Sequence, residues 1–396
     1  MKPAGHIDLP APMRDPAVAR LFAALDGAGI AARFVGGCVR NAVLKRGIDD
    51  IDVAVAKAPE TVMLALKAAK IKVIPTGLKH GTVTAIVDKK PFELTTLRRD
   101  VETDGRHAVV AFTDDWLEDA SRRDFTFNAL YADRDGTLYD PFDGRADLDV
   151  HKVRFIGDAD RRIAEDRLRV LRFFRFHAWY GKSPLDRTGF EACARHAGAL
   201  GNLSGERVSK ELLRLLAAPD PADAIEAMAE AGALDHWLPE YDGTARLRAL
   251  GGRDAADVDG LRRLGALLEE GADSNTIGKR LKLSTQQELR LGLMIAPGVK
   301  VGANPRAELY DMGRTVFVDR VLLQAPGNWR EALTLAGTWT PPELPVSGGD
   351  ALKLGLKPGP KVGALLEAVE RWWIAGDFAA DRAACLAELE RLSKAS

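Results

Sequence analysis

FVGGCVRNAVLKRGIDDIDVAV, residues 34–55, decides how the rest of the chain is read. AARFVGG reads as a strand running into Gly36 and Gly37, and VRNAVLKR resumes as a helix. Glycines in such a turn let backbone N–H groups approach a phosphate at the helix start, although a Gly-Gly pair also serves as a plain tight connection. IDDIDVAV alternates as a strand and carries Asp50-Ile51-Asp52. Residues i and i+2 of a strand share a face, so the spacing sets Asp50 and Asp52 side by side. Paired carboxylates repel unless cations bridge them or water solvates an edge. The apolar flanks Ile48, Ile51, Val53 and Val55 point to a partly buried strand, where bare like charges cost more.

Working outward, PETVMLALKAA reads as a helix with Pro59 at its start. HGTVTAIV and FELTTL are β-rich runs separated by Asp88, Lys89, Lys90 and Pro91, which predicts a hairpin. Glu93 lies on the second run and is a candidate third carboxylate. Two-metal nucleotidyl transfer needs this set: a turn that holds a triphosphate and carboxylates that hold two Mg²⁺ ions, which activate an attacking 3′-hydroxyl and brace the phosphate. Upstream, the Pro-rich opening to Asp15 reads as a flexible arm. A short amphipathic helix follows, with Val18, Leu21, Phe22 and Leu25 on one face. From about Asp158 the period turns helical, including DRRIAEDRLRVLRFFRFHAWY and RVSKELLRLLA.

Composition bounds the function. With 396 residues and 46% apolar content, the chain has material for two to three folded domains. Lys and Arg total 56 against 57 Asp and Glu, a net charge of −1. A protein coating nucleic acid with its whole surface is far more basic, so any nucleic-acid contact must use a local basic face. The three cysteines, Cys38, Cys193 and Cys385, are too few and too far apart for a disulfide framework or a cysteine-built zinc site, and fit a reducing, cytoplasmic setting. The opening has no apolar signal core and no run of about 18 apolar residues occurs, so neither secretion nor a membrane partner is expected.

VGGCVRN, IDDIDVAV and PETV together resemble the head of the DNA polymerase beta-like nucleotidyltransferase superfamily. The closer resemblance is to its class II branch, which holds CCA-adding tRNA nucleotidyltransferases and bacterial poly(A) polymerases. The likeness continues through residues 76–100 (strand pair with the third acidic residue) and 104–130 (flexible loop and the ribose-recognition motif RRDFTFNAL). It extends over DPFDG at 140–144 (hinge), EDRLRVLRFFRF at 165–176 (base-selecting helix) and LSGERVSKELLRLL at 203–216 (next neck helix). It implies an α/β nucleotidyltransferase head, a mixed β-sheet with helices, followed by an all-α neck, body and tail. The implied division is an N-terminal arm and helix over 1–27, the head over 28–150, the neck over 151–217, and a tRNA-binding body and tail over 218–396. The resemblance also implies Asp50, Asp52 and Glu93 as catalytic residues, with Asp50 and Asp52 holding Mg²⁺. Implied nucleotide-binding residues are Gly36, Gly37, Arg40, Arg122, Arg123, Asp124, Asn128, Asp166, Arg169 and Arg172. One departure is visible: the family often has Asp after the Arg of its glycine motif, and here the residue is Asn41.

Glu165-Asp166-Arg167-Leu168-Arg169 reads alone as a salt-bridged helix face. In context it reads as a base selector. Cytosine and adenine each present an exocyclic amine beside a ring-nitrogen acceptor. Asp166 accepts from the amine, and Arg169, three residues on, donates to the ring nitrogen. Uracil and guanine reverse that pattern. One Asp/Arg pair thus accepts CTP and ATP and rejects UTP and GTP, with Glu165 orienting Arg169 or a neighbour rather than touching the base. Arg122, Arg123 and Asp124 can hold phosphate and ribose oxygens, or act as caps and ion pairs. Lys279, Arg280 and Lys282 are candidate tRNA-phosphate contacts or a solvated helix face.

The expected activity is template-independent addition of C, C and A to the 3′ end of tRNA from CTP and ATP, with release of pyrophosphate and no protein partner implied. A poly(A) polymerase is the nearest alternative. Those enzymes tend to carry a Gly-Arg-Arg-Phe type segment where this chain has TGLKHGTVT. A partial CC- or A-adding enzyme is a second alternative, disfavoured by the long segment from Leu97 to Ser121 with Arg98, Arg99, Asp100, Arg106 and His107. A non-catalytic tRNA-binding module is the third, disfavoured because Asp50 and Asp52 are both present.

Overall fold

The computed structural model describes residues 1–104 and 107–395 and divides into two compact units. The first holds Met1–Thr244 together with Lys279–Leu283; the second holds Ala245–Gly278 and the chain from Ser284 onward.

In the first unit the strands are β1 (Gly5–His6), β2 (Ala32–Val35), β3 (Asp52–Val55), β4 (Lys72–Gly77), β5 (Thr82–Val87), β6 (Lys90–Thr96), β7 (Arg98–Asp104), β8 (His107–Phe112), β9 (Tyr131–Ala132) and β10 (Thr137–Tyr139). Eight form one mixed sheet in the order β1-β10-β9-β2-β3-β6-β5-β4, while β7 and β8 pair as a separate ribbon. Helices α1 (Pro16–Gly27) and α3 (Pro59–Ala68) bury Leu21, Phe22, Leu25, Val62 and Leu66 and pack on β5. Between β2 and β3 runs α2 (Gly37–Val43). The register that matters is parallel pairing of β3 with β6, which sets Asp52 directly beside Glu93.

Several expectations are corrected. The opening residues do not form a free arm: β1 pairs with β10, and Ile7 N–H donates to Gly136 O at 2.9 Å. Strand β3 begins only at Asp52, so Asp50 lies before the strand and is exposed. The hairpin turn is two residues rather than four. Val87 pairs with Lys90, and Asp88 (φ 50°) and Lys89 (φ 67°) between them take the left-handed backbone that a two-residue turn demands. The segment expected as a flexible loop is the β7–β8 ribbon. Gly105 and Arg106 lie outside the described residues, as do the side chains of Asp100 and His107.

After the sheet come α4 (Trp116–Ser121), α5 (Gly144–Asp149), α6 (Ala159–Glu165), α7 (Leu168–Tyr180), α8 (Arg187–His196) and α9 (Gly205–Leu216). The expected continuous helix through Asp166 is broken. Asp166 is extended (φ −150°, ψ 106°), and its carboxylate accepts the Leu168 N–H at 3.1 Å, capping α7. Helix α7 is joined to the head by an aromatic core. Phe125 packs tilted against Phe155 (4.7 Å between centroids) and edge-on against Phe176 (5.3 Å), and Phe155 lies parallel to Phe173 at 5.6 Å. Truncating such a ring costs roughly 3–5 kcal/mol, so the neck is fixed against the segment before β9 that carries Asp124 and, in a short 3-10 turn, Asn128.

The second unit is helical. Its buried residues gather around Phe317 and Val321 in one cluster and Val369 and Trp373 in another. Asp319, fully buried, is neutralised by Arg262 at 2.9 Å and Arg290 at 2.7 Å. Among the described residues no helix is long and apolar enough to cross a membrane.

Candidate active site

Where β2 turns into α2, the first unit carries a cavity of about 410 Å³. Gly36, Gly37, Arg40 and Asp52 line one side. Arg122, Arg123, Asp124 and Asn128, from the stretch before β9, line another. Asp166, Arg169 and Arg172, around the start of α7, close it. Every nucleotide-binding candidate of the sequence therefore lies on one wall or another of the same cavity. Asp50 and Glu93 do not line it; both are exposed, with Glu93 beside Asp52 in the sheet.

Gly36 has φ 67° and ψ −121°, a backbone that a side chain rarely adopts, which is why glycine stands at the turn. Asp52 is half-buried. Burial raises its pKa first, and the carboxylates of Glu93 and Asp50 raise it further, against Arg123 and Arg40. Asp52 thus meets the repulsion of two neighbouring carboxylates without enough positive charge to balance it, and the hard oxygen donors of these residues suit Mg²⁺. They are not gathered into a ready ligand cluster: among the described residues no three His, Cys, Asp or Glu side chains converge that closely.

The cationic side of the cavity is held by hydrogen bonds. Arg40, only 8% exposed, donates to Asn128 Oδ1 at 2.6 Å, to Tyr180 Oη at 2.8 Å and to Asn41 Oδ1 at 3.3 Å. Burial, partly offset by the Tyr180 hydroxyl, lowers the Arg40 pKa, as befits a buried charge whose hydrogen-bond partners are neutral. Asn41 accepts from Arg40 and Tyr180 and donates to Gly47 O at 2.9 Å. A carboxylate cannot make that last bond, so the amide has its own use at this position.

Asp124 accepts from the Phe125 N–H and Asn128 Nδ2, both at 2.9 Å, and from Arg172 Nε at 2.7 Å. Burial raises its pKa, but Arg172 and these donors outweigh burial and hold the carboxyl at about 2. A depressed folded pKa contributes stability that is whole above the ordinary value of 3.8 and is lost as pH falls toward 2. Asp124→Asn is expected to be on the order of 2 kcal/mol less stable than wild type at neutral pH. In urea titrations that difference should shrink between pH 5 and about 3; a difference constant across the range would show that the charge of Asp124 is not the cause.

These walls have counterparts in known proteins. A family model described as the poly A polymerase head domain matches residues 32–154, and one described as a probable RNA and SrmB binding site of polymerase A matches residues 185–243. The mouse mitochondrial CCA tRNA nucleotidyltransferase 1 is 36% identical over 365 residues, covering 86% of this chain and 82% of its own. The chain belongs to the class II CCA-adding tRNA nucleotidyltransferases. The CCA-adding enzyme of Limosilactobacillus fermentum is 30% identical over 396 residues, covering 95% of this chain and 96% of its own. The crystal structure of the Bacillus stearothermophilus CCA-adding enzyme in complex with CTP matches with a TM-score of 0.76 at 27% identity, covering 98% of both chains. The chain's fold, α/β head followed by helices, is that of this family.

Within this family member, Asp166 sits in the break between α6 and α7 and Arg169 in the first turn of α7, rather than both on one helix face. Asp166 Oδ2 accepts from Arg207 at 2.8 Å. Arg169 donates to Glu165 at 2.7 Å, to Arg162 O at 2.7 Å and to Arg122 O at 3.3 Å. Glu165 thus holds Arg169, as the sequence reading expects. Sequence reasoning missed Arg207, Leu168 and Phe176, which also line the cavity. Arg207 stands within LSGERVSKELLRLL, and its distance of 41 residues from Asp166 left no local signal. The basic trio lies elsewhere: Arg280 is bound by Glu240 through two contacts of 2.7 Å, while Lys279 and Lys282 are exposed.

Proposed function

We propose that this chain adds C, C and A in turn to the 3′ end of tRNA from CTP and ATP, without a nucleic-acid template, releasing pyrophosphate. One observation carries the reading: the glycine turn, Asp52, the Arg122-Arg123-Asp124 run and the Asp166/Arg169 pair all face one cavity of about 410 Å³, within the range of small-ligand sites. In this reading the backbone at Gly36 and Gly37, with Arg40, receives the triphosphate. Arg122, Arg123, Asp124 and Asn128 hold ribose and phosphate oxygens, Arg172 fixes Asp124, and Asp166 with Arg169 reads the base. Asp50 and Asp52, with Glu93 beside them, would hold Mg²⁺, which when bound supplies activation of the attacking 3′-hydroxyl and charge neutralisation at the reacting phosphate.

The long CCA-enzyme matches support tRNA over a poly(A) substrate, as does TGLKHGTVT at 76–84. For domains we propose the division at 27, 150 and 217, with the helical remainder taking tRNA. Lys279 and Lys282 are its proposed phosphate contacts, because Arg280 is engaged by Glu240. Three buried free cysteines support a reducing compartment, which we take to be cytoplasmic. The test is incubation with tRNA lacking its 3′ CCA, labelled CTP or ATP, and Mg²⁺, with products read at nucleotide resolution. Stepwise gain of C, C and then A is expected; a long A tail would favour the poly(A) alternative.

Shortening the β7–β8 ribbon is expected to split the reaction. One Asp/Arg pair must serve both C and A, and the ribbon is the segment whose resemblance implies adjustment between them. Trimmed chain should still add two C residues and lose terminal A addition. Equal loss of both steps, read on the same gels, would assign the ribbon to general nucleotide binding.

A further inference from the structure

Asp119, in α4, is 1% exposed and has no role assigned from the sequence. Three separate parts of the first unit converge on its carboxylate. Oδ1 accepts the Arg98 N–H at 3.2 Å, Arg122 Nε at 3.1 Å and Arg122 Nη2 at 2.7 Å. Oδ2 accepts Arg123 Nε at 3.2 Å, Arg123 Nη2 at 3.0 Å and the Tyr131 hydroxyl at 2.7 Å. A buried carboxylate is costly unless paired. Here burial acts to raise the pKa, but Arg123 and Arg122 prevail and keep Asp119 ionised far below the usual carboxylate range.

The geometry does more than neutralise charge. Arg122 uses Nε and Nη2 on Asp119, which leaves Nη1 with no protein partner among the described residues, on a side chain that lines the cavity. Arg123 is gripped in the same two-point manner, with Nη1 3.4 Å from Asn128 O. A guanidinium held at two points is a planar fork with its orientation already fixed. Arg98 is the first residue of the β7–β8 ribbon, and both its backbone groups are caught. Its N–H goes to Asp119, and its carbonyl accepts from Arg122 Nε at 3.0 Å.

We propose that Asp119 is a positioning residue for nucleotide binding, which aims Arg122 and Arg123 into the cavity and locks the base of the ribbon to them. Filling of the cavity and order at the ribbon base therefore rise together. The inference rests on the reading that CTP and ATP occupy this cavity. A carboxylate with a merely structural role predicts that Asp119→Asn lowers the unfolding midpoint and leaves nucleotide affinity alone.

The test is equilibrium CTP binding to full-length wild type, Asp119→Asn and Asp119→Glu, paired with hydrogen exchange over Leu97–Arg99 with and without CTP. Asp119→Asn should weaken CTP binding at least about 10-fold, because two forks lose their anchor, and should abolish CTP-dependent slowing of exchange at Arg98. Asp119→Glu, which keeps the charge, should recover part of the affinity. If the Asn variant does not fold, wild type alone still decides. Slower exchange at Arg98 on CTP binding supports the clamp, and unchanged exchange overturns it. Wild type that binds CTP alongside an Asn variant of equal affinity sinks this inference alone. Wild type that binds neither CTP nor ATP sinks the functional reading and this inference with it.

Discussion

Asp52→Ala is expected to slow nucleotidyl transfer by at least ~10³-fold, about 4 kcal/mol of lost transition-state stabilisation, while the unfolding midpoint measured without divalent cations stays level or rises. The two halves of that result have one cause. Asp52 is half-buried, and its pKa is raised by burial, by Glu93 beside it and by Asp50. Like charges crowded in this way destabilise the resting fold, so deleting one relieves repulsion. In the proposed reading the same carboxylate would hold a cation between the triphosphate and the 3′-hydroxyl. Asp50→Ala should lose activity to a similar degree, although Asp50 is exposed and precedes the strand. Glu93→Ala should be milder but clearly impaired. Rates on tRNA lacking CCA, taken alongside thermal midpoints, check all three. Near wild-type turnover of the Asp52 or Asp50 variant would remove that residue from the chemistry. Lost activity with a collapsed midpoint would mark a structural carboxylate instead.

What was legible in the sequence is what local chemistry controls. The glycine turn was readable because φ 67° at Gly36 admits few other residues. The hairpin that carries Glu93 was readable from two β-rich runs with a turn between them, and parallel pairing then set Glu93 beside Asp52. Less legible was what distant partners decide. Alternation alone carried the strand back to Ile48, but β2 pairs with β3 only as far as Phe34 opposite Val53 and then turns at Gly36, leaving Asp50 outside the ladder. Helical period ran unbroken through Asp166. The break there comes from its carboxylate capping Leu168 and meeting Arg207 of α9. Asp119 was hidden for a related reason. An acidic residue three positions before an arginine reads as a surface ion pair, and only the fold buries it beneath Arg98 and Tyr131.

Arg169→Ala should fail in a defined direction: use of CTP and ATP falls while use of UTP and GTP rises in relative terms, by roughly 10- to 100-fold, or about 1–3 kcal/mol per contact. Arg169 is held at three points, by Glu165, Arg162 O and Arg122 O, and Asp166 at two, by the Leu168 N–H and Arg207. In the proposed reading, side chains fixed this firmly present a rigid acceptor and donor to the entering base. A wrong base leaves buried polar groups unpaired rather than inducing a new arrangement. Removing the guanidinium deletes the donor to the ring nitrogen of C and A, and with it the clash against the ring N–H of U and G. Asp166→Ala deletes the amine acceptor and the repulsion of a carbonyl, so its selectivity should relax in the same direction. The Asp variant also loses the cap of α7, which costs roughly 1 kcal/mol, so a modest drop in its midpoint is expected even if it reads the base. Selectivity is therefore the deciding measurement: kcat/KM for all four nucleotides in wild type and both variants. Four-way selectivity preserved in both variants, with lowered midpoints, would show that the pair only braces the junction of α6 and α7 and that another wall of the cavity reads the base.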